Sequence, residues 1–246
     1  MPWTHALDLT KATVKAQGVS TPVTHRDIVV DDNTMQLIRL GDQVIRQTRQ
    51  LLPYGAGNQK SDLTTNPEAG PRTAATQMAF GTNFPRPQYV GGAALMFKSG
   101  NCQDQAAVVY LLLREALGNG HIISYGCAPS AHHSFCLVRP AALTRMDQIV
   151  VVDSWPKYPQ AMLWQHHFCY PEFQLYVEKP GAGHGGKLQK AFQKFNNQAF
   201  YNAVASAATL GGPYGSSWNH KWASASHDVL RYYVDDPMDT DVDMNG

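Results

Sequence analysis

The chain has 246 residues, of which 43% are hydrophobic and 16% are charged. Lysine and arginine number 20 against 19 aspartate and glutamate residues, so the formal net charge at pH 7 is +1. This balance argues against a nucleic-acid-binding protein and against a polybasic membrane anchor. No apolar run approaches the ~18 residues of a transmembrane helix, and the first residues lack the pattern of a cleavable signal peptide.

The elements predicted in chain order begin with an amphipathic helix over residues 34–53, where apolar side chains recur at helical spacing. Residues 54–92 are rich in glycine and proline and show little periodicity, which predicts a long loop, either functional or an ordinary surface excursion. Residues 103–117 are apolar on every side and predict a buried helix.

Short apolar runs follow this helix and predict β-strands at residues 122–125, 134–138, 149–152 and 173–177. No long helix separates them, which favours antiparallel pairing. A further helix is predicted over residues 187–210, and the acidic residues 235–246 predict a disordered tail. The sequence therefore predicts one domain of the α+β class over residues 1–234.

The four cysteines, at positions 102, 127, 136 and 169, form no CxxC pair and are too few for a disulfide scaffold. We therefore expect reduced thiols. Cys102 differs from the others because it follows a glycine turn and opens the predicted buried helix. Unpaired backbone N–H groups and the positive end of the helix dipole stabilise a thiolate at such a position.

A histidine and a carboxylate follow Cys102 at the ends of predicted neighbouring strands. His132 and His133 enter one strand, and Asp153 ends the next. Successive side chains of a strand point to opposite faces, so only one of the two histidines can serve, and the surrounding residues favour His133. Cysteine, histidine and aspartate in this order fit a nucleophile, a general base and the group that orients the base.

The runs G-N-C-x-x-x-A, H-x-F-x-x-V and V-V-D-x-W, between residues 100 and 156, resemble the papain-like and transglutaminase-like cysteine enzymes. They are most similar to bacterial effectors of the AvrPphE/HopX kind and to effector deamidases. The resemblance implies a papain-like fold, with a buried nucleophile helix on an antiparallel sheet and flanking helices. It assigns Cys102 as nucleophile, His133 as general base and acid, and Asp153 as its orienting group, within a core of residues 100–178.

The resemblance also implies a function. A Cys-His-Asp triad performs acyl transfer through a thioester, without a cofactor, here on a protein substrate. Glutamine deamidation is favoured, but proteolysis and transglutamination share the first step, and a catalytically silent binding module is the non-enzyme alternative. Bacterial effectors are toxins or virulence factors delivered by a dedicated secretion system into a host or competitor cell. We would expect action in its cytoplasm, with room for an activating or inhibiting protein partner.

Two points depart from the family pattern or compete with it. Papain-like proteases use a glutamine shortly before the cysteine for the oxyanion hole, and residues 91–100 contain none. Asn101, Gln103 and Gln88 are the candidate substitutes. Trp155 is grouped with them as an oxyanion or substrate residue, and its simplest interpretation is a core or rim aromatic that shields the His–Asp pair from water. The separate group of His166, His167 and Cys169 suggests zinc, but the second ligand pair of a structural site is missing, so no metal is predicted.

Overall fold

The computed structural model describes residues 25–156, 159–183, 190–191 and 229–234. The predicted tail 235–246 lies outside these residues, as does the predicted helix 187–210 except for two residues that are helical. The described part is a mixed α/β structure compatible with the α+β class, because its helices precede a separate antiparallel sheet.

The first described half of the chain is mainly helical. After strand β1 (His25–Val30) come helices α1 (Asp32–Leu51), α2 (Lys60–Thr65), α3 (Ala69–Phe80), α4 (Pro87–Phe97) and α5 (Cys102–Ala116). Asp31 caps α1, since its carboxylate accepts a 2.7 Å hydrogen bond from the Thr34 backbone N–H. Helices α1 and α5 thus lie where hydrophobic periodicity predicts them.

The prediction of a long loop over residues 54–92 is wrong, because α2, α3 and most of α4 lie there. Helices α3 and α4 bury small residues on most sides and therefore show little amphipathic pattern. Close packing explains the glycine content at Gly91, where a Cβ atom would lie 2.8 Å from Leu111 Cδ1 of α5. A helix that must approach a buried neighbour this closely loses the bulky apolar residues that reveal helical periodicity.

The second half forms a five-stranded sheet in which all pairings are antiparallel, as predicted. Its strands are β2 (His121–Ala128), β3 (His133–Pro140), β4 (Val150–Val152), β5 (Met162–Leu163) and β6 (Gln174–Pro180), in the order β5-β4-β3-β2-β6. A last strand, β7 (Val229–Val234), pairs in parallel with β1 outside this sheet.

Helix α5 packs against β2 and β3 on one side and against α1 and α4 on the others. Nine of the ten residues 103–112 are buried, which fits the prediction of a helix with no face exposed to solvent. In the sheet, Cys136 of β3 pairs with Val152 of β4. This register places the start of β3 beside the end of β4. The first residue of α5 lies close to the same strand ends. Among the described residues, no helix has both the length and the apolar character needed to cross a membrane.

Candidate active site

Cys102 is the first residue of α5 and is 8% exposed. Asn101 caps the helix, since its side-chain oxygen accepts from the Gln103 backbone N–H at 3.1 Å, while the Asp104 carboxyl accepts from the Asn101 N–H at 2.8 Å. The thiol donates to the carbonyl oxygen of His132 at 3.7 Å. Cys102 therefore lies at a capped helix N-terminus, where the backbone favours negative charge.

His133 and Asp153 form a buried pair at the adjoining strand ends. His133 Nε2 lies 2.6 Å from Asp153 Oδ2, and the two side chains are 2% and 3% exposed. Nε2 is hydrogen-bonded to the carboxylate, so Nδ1 is the ring nitrogen available to the Cys102 thiol, which interacts with this ring. The structure thus brings together the three residues that the sequence singles out, and it selects His133 over the exposed His132.

The Asp153 carboxylate decides the charge state of His133. Burial alone would lower the pKa of His133, but the charge and hydrogen bond of Asp153, together with the Cys102 thiol, raise that pKa to about 10. Burial likewise acts to raise the pKa of Asp153, and the His133 and His167 side chains outweigh it and lower that pKa. At neutral pH the pair is therefore an imidazolium and a carboxylate.

His167 is a second histidine on the same carboxylate, and sequence reasoning considered it only as a zinc ligand. Its Nε2 lies 3.3 Å from Asp153 Oδ2, and its Nδ1 accepts from the Cys169 backbone N–H at 3.3 Å. Since Nδ1 accepts, the ring proton is on Nε2, which donates to Asp153. Burial lowers the pKa of His167, so this donor is neutral.

The ring nitrogens and the carboxylate of His133, Asp153 and His167 lie within 4.8 Å of one another, close enough to hold a metal ion. The hydrogen bonds do not suit that use, because a metal on His167 Nε2 would need the proton on Nδ1, which accepts a backbone N–H instead. The His166 ring turns elsewhere and lies 3.4 Å from the Tyr232 hydroxyl. The arrangement therefore fits a hydrogen-bonded pair with a neutral supporting donor better than a metal centre.

Trp155 covers the pair. Its ring centroid lies 5.0 Å from that of His133, and the side chain packs with Cys102 and Ala56 in a small apolar cluster. Its backbone N–H donates to Asp153 Oδ1 at 3.1 Å. Trp155 thus occupies the shielding position expected from the sequence, where it excludes water from the His–Asp contact and so strengthens it.

Arg49 of α1 holds the segment that carries Trp155. Its guanidinium donates to the carbonyl oxygens of Ser154 at 2.6 Å, Trp155 at 3.2 Å and Pro156 at 2.6 Å. These three contacts join α1 to the residues directly after β4. In the sequence, Arg49 is one of several polar residues on the polar face of the amphipathic helix α1. Nothing there indicates this role, because its partners lie about a hundred positions further along the chain.

The three oxyanion candidates named from the sequence lie in unsuitable places. The Asn101 side-chain oxygen caps α5, and the Gln103 amide donates to Gln77 at 2.8 Å. Gln88 lines a cavity with Tyr110, which at a rise of about 1.5 Å per residue is about 12 Å along the helix axis from Cys102. The Asn101 oxygen and the Gln103 amide group are thus engaged at the start of α5, and Gln88 lies far from Cys102.

Asn58 is a further side chain near the site that sequence reasoning missed. It accepts a 2.9 Å hydrogen bond from Trp155 Nε1, and it lies two positions after Ala56, which packs with Cys102. The backbone of this segment is fixed to the residues before the cysteine, because Gly100 N donates to Gly55 O at 3.1 Å. Sequence reasoning did not find this proximity, because Asn58 is far from Cys102 along the chain and lies in the region predicted as a loop.

The other cysteines are buried thiols without the environment of Cys102. Burial raises the pKa of Cys127, of Cys136 and of Cys169. Cys136 donates to the Ala106 carbonyl at 3.1 Å, on the face of β3 that packs on α5. These thiols therefore provide internal controls for the reactivity of Cys102.

Comparison of the chain with models of known protein families, with curated proteins and with solved structures finds no match.

Stability should depend on the charge of His133 at alkaline pH. Its pKa rises from 6.5 to about 10 on folding, so its contribution to the free energy of unfolding is complete below pH 6.5 and is lost between pH 6.5 and about 10. Urea unfolding at several pH values should show a larger decline over this range for the wild type than for His133→Gln. Parallel pH curves for the two proteins would contradict the ion pair.

Replacement of His167 should separate its hydrogen bond from its packing. His167→Phe keeps an aromatic ring but removes the donor to Asp153, whereas His167→Gln offers an amide N–H in about the same place. We expect His167→Phe to slow alkylation of Cys102 by iodoacetamide and to lose about 1–3 kcal/mol of unfolding free energy. His167→Gln should recover most of both. Equal impairment of the two variants would indicate a packing role alone.

Proposed function

We propose that this chain is a papain-like thiol enzyme that performs acyl transfer on a protein substrate, with glutamine side-chain deamidation as its reaction. The observation that carries the proposal is the buried His133–Asp153 pair, with a 2.6 Å contact, beside a cysteine at a helix N-terminus. An imidazolium held by a carboxylate stabilises a neighbouring thiolate, which is the attacking form of cysteine.

The reaction can be written with the groups present. Cys102 starts as a thiolate, with its proton already on Nδ1 of the His133 imidazolium, and the sulfur attacks the carboxamide carbon to give a tetrahedral oxyanion. The imidazolium then returns the proton to the nitrogen, so that the C–N bond breaks and ammonia leaves a thioester. Neutral His133 next removes a proton from water, whose oxygen attacks the thioester carbon. The C–S bond breaks to release the carboxylic acid, and the sulfur leaves as a thiolate beside the His133 imidazolium, which restores the starting pair.

The oxyanion in this scheme would be bound by the Cys102 backbone N–H and the Asn58 amide. Cys102 is the first helical residue, a position whose N–H has no intrahelical acceptor. Asn58 is held by Trp155 Nε1 through its side-chain oxygen, an orientation that directs its NH₂ group away from the tryptophan. Preorganised donors of this kind contribute strongly to acyl transfer because they need no reorganisation as charge develops.

The acyl acceptor and substrate bond define the enzyme. Water on a glutamine side chain gives a deamidase, water on a peptide bond gives a protease, and an amine gives a transglutaminase. The resemblance to bacterial effector deamidases favours the first, and with it delivery by a dedicated secretion system into the cytoplasm of a host or competitor cell as a toxin. A metal site on His133, Asp153 and His167 is the second candidate: their 4.8 Å clustering favours it, and the acceptor role of His167 Nδ1 opposes it.

Alkylation by iodoacetamide, assigned to each cysteine by peptide mass, tests the nucleophile without a substrate. We expect Cys102 to react well below pH 8, while the buried Cys127, Cys136 and Cys169 stay slow. His133→Ala should remove the low-pH reaction, since the thiolate then lacks its cationic partner. Prior treatment with EDTA should change nothing, whereas acceleration by EDTA would favour the metal site. An inert Cys102 in the untreated protein would favour the binding module.

The variant Asn58→Ala should affect acyl transfer much more than simple alkylation of Cys102. Alkylation forms no oxyanion, so its rate at Cys102 should stay within about twofold. Hydrolysis of a glutamine probe such as carbobenzoxy-glutaminyl-glycine should fall by about 10²–10³ in kcat, with Gln88→Ala as the unaffected control. Mass spectrometry of the product separates deamidation, chain cleavage and amine incorporation. Equal hydrolysis by wild type and Asn58→Ala would remove Asn58 from the oxyanion hole.

A further inference from the structure

The turn after β4 is built around the guanidinium of Arg49. The Nε and Nη2 atoms of this side chain donate to the carbonyl oxygens of Ser154, Trp155 and Pro156. Within the same turn, the Trp155 N–H donates to Asp153 Oδ1 at 3.1 Å. Only the planar fork of an arginine presents several N–H groups in fixed directions, so an ammonium group would not reproduce these contacts. The position of the Asp153 carboxylate therefore depends on this guanidinium.

The same guanidinium interacts with two carboxylates. Burial acts to lower the pKa of Arg49, while the charges of Asp62 and Asp153 act to raise it. An arginine keeps its proton at neutral pH in either environment. The side chain therefore places one positive charge near two acids, and each of these acids fixes a different segment of the site.

Asp62 of α2 fixes the segment that contains Asn58. Its carboxylate accepts from the Ala56 N–H at 2.8 Å. Ala56 packs with Cys102 and lies two positions before Asn58, the proposed donor to the oxyanion. Arg49 therefore interacts electrostatically with the acid that anchors this segment, and it holds the turn of the other acid by direct hydrogen bonds.

The two segments are also joined directly to each other through Trp155. Its Nε1 donates to Asn58 Oδ1 at 2.9 Å, and its carbonyl oxygen accepts from the Gln59 amide as well as from Arg49. Gln59 and Trp155 are 5% and 4% exposed, so water competes little for these contacts. A displacement of either segment would therefore move the other.

We propose that Arg49 is a positioning residue that holds Asn58 and the Asp153 carboxylate in one fixed arrangement around Cys102. This inference rests on the proposed acyl transfer and deepens it, because it names one side chain on which both oxyanion binding and the orientation of His133 depend. A misplacement of about 1 Å at a reacting group can lower a rate by about 10². Loss of the guanidinium fork should therefore appear mainly in kcat.

Hydrolysis of carbobenzoxy-glutaminyl-glycine tests this role through kcat and KM. Arg49→Lys keeps the positive charge but loses the planar fork, so we expect kcat to fall by about 10²-fold while KM stays within about threefold. Arg46→Lys makes the same chemical change at an exposed position of the same helix and should match the wild type. Wild-type kcat in Arg49→Lys would overturn the proposal.

Chemical rescue separates positioning from general destabilisation. Arg49→Ala removes the donor to the three carbonyl oxygens, and methylguanidine should raise its kcat by at least about tenfold, because this ion supplies the same planar fork. Ethylammonium has the same charge without the fork and should restore little. Equal rescue by the two ions, or no rescue of folded Arg49→Ala, would contradict the proposal. Arg49→Lys decides the matter if Arg49→Ala does not fold.

Hydrogen exchange tests the fixed arrangement without any reaction. In Arg49→Lys we expect the backbone N–H groups of Ala56 and Trp155 to exchange at least about tenfold faster than in the wild type, and in Arg46→Lys at the wild-type rate. Unchanged exchange in Arg49→Lys would overturn the proposal. A wild type that hydrolyses no glutamine probe would instead overturn the proposed acyl transfer, and exchange alone would then decide whether Arg49 fixes the two segments.

Discussion

The contact between His133 and Asp153 is the interaction on which the rest of the site depends. Two opposite charges buried at 2.6 Å gain strong attraction, but each loses its hydration, and the balance is favourable only if the remaining hydrogen-bonding capacity is satisfied. The Trp155 N–H and the His167 ring supply that satisfaction at the two carboxylate oxygens. In the proposed cycle His133 alternates between charged and neutral forms, and these donors hold the carboxylate in both.

Helix α5, which begins at Cys102, is fixed to this pair by buried polar side chains rather than by apolar packing alone. Gln105 donates to the Gly100 carbonyl at 3.1 Å and accepts from the Ser154 hydroxyl at 3.0 Å. One side chain thereby ties the turn before Cys102 to the residue after Asp153. Two segments that are distant in sequence are thus held in a fixed relative position, as the proposed reaction would require of its supporting residues.

The charge balance at the start of α5 also depends on burial. The Asp104 carboxyl accepts from the Asn101 N–H and from the Gln77 amide, yet burial raises its pKa to about 8. The group is therefore mostly neutral at pH 7 and does not oppose a thiolate in the same helical turn. The capping geometry is retained, while the negative charge that the helix N-terminus favours is left to Cys102.

Local patterns in the sequence were enough to predict helices α1 and α5, the four strands β2, β3, β4 and β6 of the antiparallel sheet, and the candidate residues Cys102, His133 and Asp153. Periodicity and helix-end signals are properties of neighbouring residues, so a single chain displays them directly. The helices within residues 54–92 were not predicted, because their small buried residues show no amphipathic pattern. The Asn58–Trp155, Arg49–Ser154 and His167–Asp153 contacts, and the cavity around Tyr110, were decided by tertiary structure alone, because each joins segments whose proximity follows from packing and not from spacing along the chain.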